Sequence, residues 1–118
     1  MKVMIVDDEQ LVRWFMERAL KRKGIEVNTV SNIHDAMKLI EHETFDIIFT
    51  DLKMPGGNGA ILVDKLCEKP QKTRVVVCSA YITSEISKDL KGKGIYTLKK
   101  PFKLKELEDT IKKIAPDI

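Results

Sequence analysis

A chain of 118 residues with 43% hydrophobic and 33% charged side chains has the size and balance of one compact domain, which argues against disorder and leaves no room for a second domain of ordinary size. Lys and Arg number 21 against 18 Asp and Glu, a net charge of +3, too mild for electrostatics alone to imply nucleic acid. Cys67 and Cys78 make neither a disulfide framework nor a metal pattern, the N-terminal apolar run is too short for a signal peptide, and no segment approaches the ~20 apolar residues of a membrane span, so a reducing cytoplasm is the simplest address.

The first strand is expected at Val3–Val6. Val12, Phe15, Met16, Ala19 and Leu20 then recur at i, i+3, i+4, i+7 and i+8, the inward stripe of a helix that Gly24 stops. A second strand follows at Val27–Val30. Asn32 reads as the N-cap of a second helix with Ala36, Met37, Leu39 and Ile40 inward. Phe45–Thr50 is the third strand, and Gly56-Gly57-Asn58-Gly59 reads as one loop. Asn58 is a candidate cap for a third helix carrying Ile61, Leu62, Leu66 and Cys67. Arg74–Cys78 is the fourth strand. Thr83 is a candidate cap for a weaker fourth helix around Ile86 and Leu90, which should fray at Lys91-Gly92-Lys93-Gly94. Ile95–Leu98 is the fifth strand, and after Pro101 comes a fifth helix with Leu104, Leu107, Ile111 and Ile114 inward.

Nearly continuous apolar strands are covered on both faces, and five of them alternating with five helices make one doubly wound parallel α/β sheet. Met4, Met16, Met37 and Cys78 belong to its core; His34 and His42 lie on its surface. Charge is uneven: residues 1–59 hold 8 basic and 10 acidic side chains, residues 60–118 hold 13 and 8. The lysine-rich second half is either a solvated surface or a docking face.

Ligands of parallel α/β sheets bind beyond the carboxyl ends of the strands. Asp7, Asp8 and Glu9 stand at the first such end, Asp51 at the third, Ser79 and Ala80 at the fourth, and Lys100 before Pro101 at the fifth. Taken singly, each has an ordinary alternative: Asp7 and Asp8 as helix caps, Asp51 as the start of a turn, Ser79 as a loop residue, Lys100 as one lysine among many. Together the carboxylates repel unless a proton or a cation neutralises them. All-oxygen donors without His or Cys favour a hard divalent ion, Mg²⁺ first and Mn²⁺ second. Such a site suits a phosphoryl group, with a carboxylate nucleophile and a lysine balancing the oxygens' charge.

Three motifs, Ile5-Val6-Asp7-Asp8-Glu9, Asp51-Leu52-Lys53-Met54-Pro55 with Gly59, and Ser79-Ala80 followed by Lys100-Pro101-Phe102, make the chain resemble a receiver domain of the two-component response-regulator superfamily over essentially all 118 residues. The resemblance implies a flavodoxin-like strand order 2-1-3-4-5, the order given for chemotaxis regulators of this type. It also implies that Asp51 is the phosphoacceptor, that Asp8 ligates Mg²⁺ directly and Asp7 through water, and that the Lys53 carbonyl completes the metal shell. Ser79 and the Ala80 amide would bind the phosphoryl group. Lys100 would pair with Asp51 and then with a phosphoryl oxygen, and the Lys100–Pro101 bond would be cis. The switch position, usually aromatic, holds Thr97, with Tyr96 beside it on the opposite face, so the relay from Ser79 is modified. Lys53 and Tyr81 occupy positions that control water access, which implies slow self-dephosphorylation.

Leu11 and Trp14 share a helix face off the core stripe, the face that in receivers commonly meets a phosphodonor histidine domain; packing of Trp14 against its neighbours is the alternative. The implied function is a phosphorylation-controlled switch. It would be loaded by a sensor histidine kinase or histidine phosphotransfer protein, and would be a phosphoacceptor rather than an enzyme on other substrates. The chain would be a single-domain regulator or phosphorelay intermediate, or else a receiver from a longer regulator or hybrid kinase. Its Asp51–Pro55 stretch is similar to receivers of enhancer-binding transcription activators. The alternative is a small aspartate-nucleophile phosphatase, but Lys53 stands where its general acid would be. A mononucleotide binder would place phosphate against Asp7-Asp8-Glu9, no phosphate-cradling glycine motif exists, and no recognition-helix module for DNA is present.

Overall fold

The computed structural model describes residues 1–54, 57–68 and 73–116. The main sheet has five parallel strands: β1 (Lys2–Val6), β2 (Glu26–Val30), β3 (Ile47–Thr50), β6 (Arg74–Ser79) and β7 (Tyr96–Lys99). Their order is β2-β1-β3-β6-β7, which is 2-1-3-4-5 when only these strands are counted. The helices are α1 (Gln10–Lys21), α2 (Ile33–His42), α3 (Gly59–Glu68), α4 (Ser84–Gly92) and α5 (Leu104–Ile114).

Side-chain alternation along the strands divides the core in two. Met4, Val6, Ile48, Val75 and Val77 pack under α2, α3 and α4, with Ala36, Leu62 and Leu90 among the helix residues. Val3, Ile5, Ile47, Phe49, Val76 and Cys78 pack under α1 and α5, with Met16, Leu20, Leu107 and Ile111. The three central strands are covered on both faces, which is why their sequences are apolar almost without break.

Local signals act as expected at several positions. Asn32 Oδ1 accepts from the Asp35 amide at 2.8 Å, and Thr83 Oγ1 accepts from the Ile86 amide at 3.2 Å, so both residues cap their helices. Gly24 and Gly94 adopt φ of 77°, the left-handed conformation that ends a helix. His34 and His42 are exposed.

Four expectations need correction. Gly57–Asn58 (β5) is not plain loop but pairs antiparallel with Lys53–Met54 (β4). Phe15, Ile61 and Leu104 are 39%, 56% and 40% exposed rather than inward; each sits at the border of its helix stripe, where spacing alone does not separate core from rim. The inward position missed on α2 is Ile33, which is buried. The side chains of Asn58 and Cys67, and all of Pro55 and Gly56, lie outside the described residues.

Candidate phosphoryl-accepting site

Parallel pairing fixes where the chain leaves the sheet. The Asp7 amide donates to the Val30 carbonyl and the Asp51 amide to the Val6 carbonyl, each at 3.2 Å. The tips of β1 and β3 are therefore adjacent, with both aspartates just past the last paired residues. On the far side, the Lys100 amide donates to the Ser79 carbonyl at 3.0 Å, which brings Lys100 to the same edge. The Lys100–Pro101 bond is cis.

The Lys100 ammonium stands 2.8 Å from Asp51 Oδ2, 2.7 Å from Asp7 Oδ2 and 3.1 Å from Glu9 Oε1. Asp7 and Asp51 are buried, and Asp8 and Glu9 are exposed. One carboxylate oxygen from each of these four residues lies within 4.8 Å of the others. Burying charge is costly without partners, and these groups supply one another. Burial pushes the Asp7 carboxyl above its ordinary value, outweighing the Lys100 and Glu9 hydrogen bonds that oppose the shift. Burial also works against the Lys100 cation, but its hydrogen bonds to Asp51 and Asp7 prevail and raise it well above the usual lysine range.

Backbone groups hold the carboxylates. Asp7 Oδ1 accepts from the Glu9 amide at 2.9 Å, and Asp51 Oδ1 accepts from the Lys53 amide at 3.2 Å. Asp7 and Asp8 do not cap α1: the residue at that position is Glu9, and its side chain makes no cap bond. Gly59 lies against this turn, where an added Cβ would be 1.8 Å from the Asp51 carbonyl oxygen. A side chain cannot fit there.

Ser79 is fully buried and its Oγ accepts from the Tyr81 amide at 3.1 Å; Ala80 is exposed beside it. Tyr96 packs on the α1–α5 side of the sheet, and alternation puts Thr97 on the other. Both are half-buried. Leu11 and Trp14 are 76% and 59% exposed.

Sequence reasoning leaves out two participants, Glu9 and Arg13, and one contact, between Lys53 and Tyr81. Glu9 belongs to the acidic run yet was assigned no part, although its carboxylate reaches Lys100. The Arg13 guanidinium donates to the Asp7 carbonyl at 2.6 Å, and the Lys53 ammonium lies over the Tyr81 ring, 4.4 Å from its centroid. Neither contact has a sequence signal, because each partner is set by loop geometry.

Two buried carboxylates, a lysine and an oxygen-rich cluster gather at this edge, and the chain that carries them is similar to known proteins. The family model described as response regulator receiver domain matches residues 3–112. The chain belongs to the response regulator receiver domain family. Members of the family are phosphorylation-dependent signalling switches, and membership implies an upstream kinase or phosphotransfer protein. The chain is similar to sporulation initiation phosphotransferase F of Bacillus subtilis, 27% identical over 98% of this chain and 94% of that one. It is also 31% identical to response regulator protein PilR of Pseudomonas aeruginosa, over 93% of this chain but 25% of that one. Among solved structures it resembles chemotaxis protein CheY4 of Vibrio cholerae, with a TM-score of 0.85, 27% identity, and coverage of 96% of this chain and 97% of that one.

The donor set fits the Mg²⁺ that receivers generally bind: hard oxygen ligands only, two of them buried and two open to solvent. Among the described residues no helix is long and apolar enough to cross a membrane.

Proposed function

We propose that Asp51 accepts a phosphoryl group from a sensor histidine kinase or a histidine phosphotransfer protein. The supporting observation is the Lys100 ammonium held between Asp51 and Asp7 beside an oxygen cluster suited to Mg²⁺. Asp8, Asp7, Asp51 and the Lys53 carbonyl are the assigned ligands. When bound, the ion neutralises charge on the carboxylates and on the phosphoryl oxygens. An Asp51 oxygen forms the new O–P bond, the donor imidazole nitrogen leaves with the electrons of the broken N–P bond, and Lys100 moves from Asp51 to a phosphoryl oxygen. Ser79 Oγ and the Ala80 amide take up the phosphoryl group's remaining hydrogen bonds.

Ser79 Oγ accepts from the Tyr81 amide and keeps its own O–H to donate to a phosphoryl oxygen, and reorientation of that hydroxyl starts the switch. Thr97 on the α4 side and Tyr96 on the α5 side offer a relay split between two residues. The Lys53–Tyr81 contact joins the two loops flanking Asp51, which supports restricted water access and a long-lived phosphoform. Leu11 lines a cavity of about 400 Å³ together with Phe15, Ala80, Lys100 and Phe102, so a donor seated on the Leu11 and Trp14 face of α1 comes up against the lysine that contacts Asp51. Residues 1–118 act as one cytoplasmic receiver that turns over nothing but its own phosphoryl group. The phosphatase reading has no supporting contact, since Lys53 offers an amide and an ammonium where a general acid is needed.

Incubation with acetyl phosphate and Mg²⁺, followed by intact mass, tests the reading. One added phosphoryl group is expected, absent in Asp51→Ala and in EDTA, and decaying faster in Lys53→Asn. Modification that persists in Asp51→Ala overturns the assignment, and identical lifetimes in Lys53→Asn reject the role of the clasp.

A further inference from the structure

The β1–β2 ladder stops just short of the acidic loop. Its last paired residues are Val6 and Val30, and the Asp7 amide still donates to the Val30 carbonyl. In an extended strand the amide and carbonyl of one residue point to the same side, so the Asp7 carbonyl also faces β2. Its ladder partner there would be the amide of residue 32. The chain has already turned at that point, with Asn32 capping α2 through the Asp35 amide. The Arg13 side chain fills the gap: its Nη1 donates to the Asp7 carbonyl at 2.6 Å. Arg13 is half-buried in the first turn of α1, where its own amide donates to the Glu9 carbonyl at 3.1 Å. Among the described residues its guanidinium forms no ion pair, although the acidic run Asp7-Asp8-Glu9 adjoins its helix. Asp8 is exposed, and its carboxylate makes no hydrogen bond among the described residues. Only its backbone aims it. The Asp7 carbonyl and the Asp8 amide belong to one planar peptide, so the Arg13 bond fixes the plane from which the Asp8 side chain departs.

We propose that Arg13 is a positioning residue for divalent-cation binding. By holding the Asp7 carbonyl it sets the Asp7–Asp8 peptide plane and points the Asp8 carboxylate into the oxygen cluster shared with Asp7, Glu9 and Asp51. This role rests on the metal assignment above and adds to it a residue that is not itself a ligand. Charge alone works in the opposite direction. A guanidinium beside the site repels a divalent cation, so an Arg13 without a geometric part only weakens binding. Its bond to a neutral carbonyl leaves that repulsion uncancelled by any ion pair of its own. The two effects therefore differ in sign, and removing Arg13 tells them apart. Lysine is the intermediate case: it keeps the charge and a donor but lacks the planar fork.

The test is Mn²⁺ titration of the full chain, with free ion read by electron paramagnetic resonance, beside amide relaxation of the metal-free, isotope-labelled protein. Arg13→Gln keeps a helix-compatible side chain but loses the charge and the reach to the Asp7 carbonyl. It should weaken Mn²⁺ binding about ten-fold and lower the order of the Asp8 amide, with the amides of β1 and β3 unchanged. Arg13→Lys should recover part of the affinity. In an Asp8→Asn background, Arg13→Gln should change affinity by less than about two-fold, because the carboxylate that Arg13 aims is gone. Tighter Mn²⁺ binding in Arg13→Gln shows charge without geometry and overturns the role. So does an undiminished loss in the Asp8→Asn background, or an Asp8 amide as ordered as in the unaltered chain. Absence of Mn²⁺ binding by the unaltered chain overturns the metal assignment and the role of Arg13 together, whereas equal binding by the unaltered chain and Arg13→Gln overturns the role alone.

Discussion

Lysine does two different things in this molecule. At the strand tips the Lys100 side chain is 10% exposed and lies within 3.1 Å of three carboxylates. On the helices beside β7, Lys91 and Lys113 are exposed and Lys113 has an aromatic face for company. In the first place charge is part of the packing, so removing one member strands the others in a poorly solvated spot. In the second, water already serves the ammonium groups, and losing either costs the fold little.

The contrast breaks most violently at Gly59. Its missing side chain lets the start of α3 lie against the Asp51 carbonyl, so the backbone that aims the site has no slack. Gly59→Ala places a methyl group 1.8 Å from that oxygen, and the obstacle is backbone rather than a flexible side chain. A loss of more than about 4 kcal/mol is expected by urea denaturation. Stability within about 1 kcal/mol of wild type would show that the turn can shift, and that the carboxylate is less rigidly aimed than its contacts imply.

Lys100→Met measures the charge itself. It keeps the stem's volume and leaves Asp7 and Asp51 buried without their cation, so metal-free protein should lose about 3 kcal/mol. Mg²⁺ should then restore more stability than it adds to wild type, because it now neutralises carboxylates that have nothing else. Lys91→Met under the same urea titration should leave the midpoint nearly unchanged. Equal losses at the two lysines would erase the distinction between structural and solvated charge.

These differences also explain which features were legible before the structure. The strand order follows from the family resemblance, while the alternation of strands and helices follows from periodicity, which is dense in a sheet buried on both faces. Asn32 and Thr83 announce themselves because a cap is a local, three-residue event. Asp7, Asp51 and Lys100 were found because unpaired charge after an apolar strand needs an explanation. Glu9, Arg13 and the Lys53–Tyr81 pair were not, because their partners come from loops whose path no periodicity records. Phe15, Ile61 and Leu104 failed for a related reason: an apolar residue at the margin of a helix stripe is inward or outward according to the neighbouring helix, and Phe15 meets Phe102 at 6.1 Å across that margin.

Asp7 gives the smallest effect and the finest discrimination. Burial raises its carboxyl above the ordinary value despite Lys100, so the folded chain holds this proton more tightly than the unfolded chain does. The resulting stability is full below the unfolded value of about 3.9 and is lost as pH rises through the folded value. Lys100 shifts upward too, and its contribution persists across neutral pH, disappearing only in strong alkali. At pH 7 without metal, Asp7→Asn should therefore raise Tm by a few degrees and flatten the acid-side dependence of stability. The same variant should gain less from Mg²⁺, since a neutral amide gives the ion less to bind. A lower Tm in metal-free Asp7→Asn would mean that the 2.7 Å contact with Lys100 outweighs the cost of burial. The carboxylate would then serve the fold before it serves the ion.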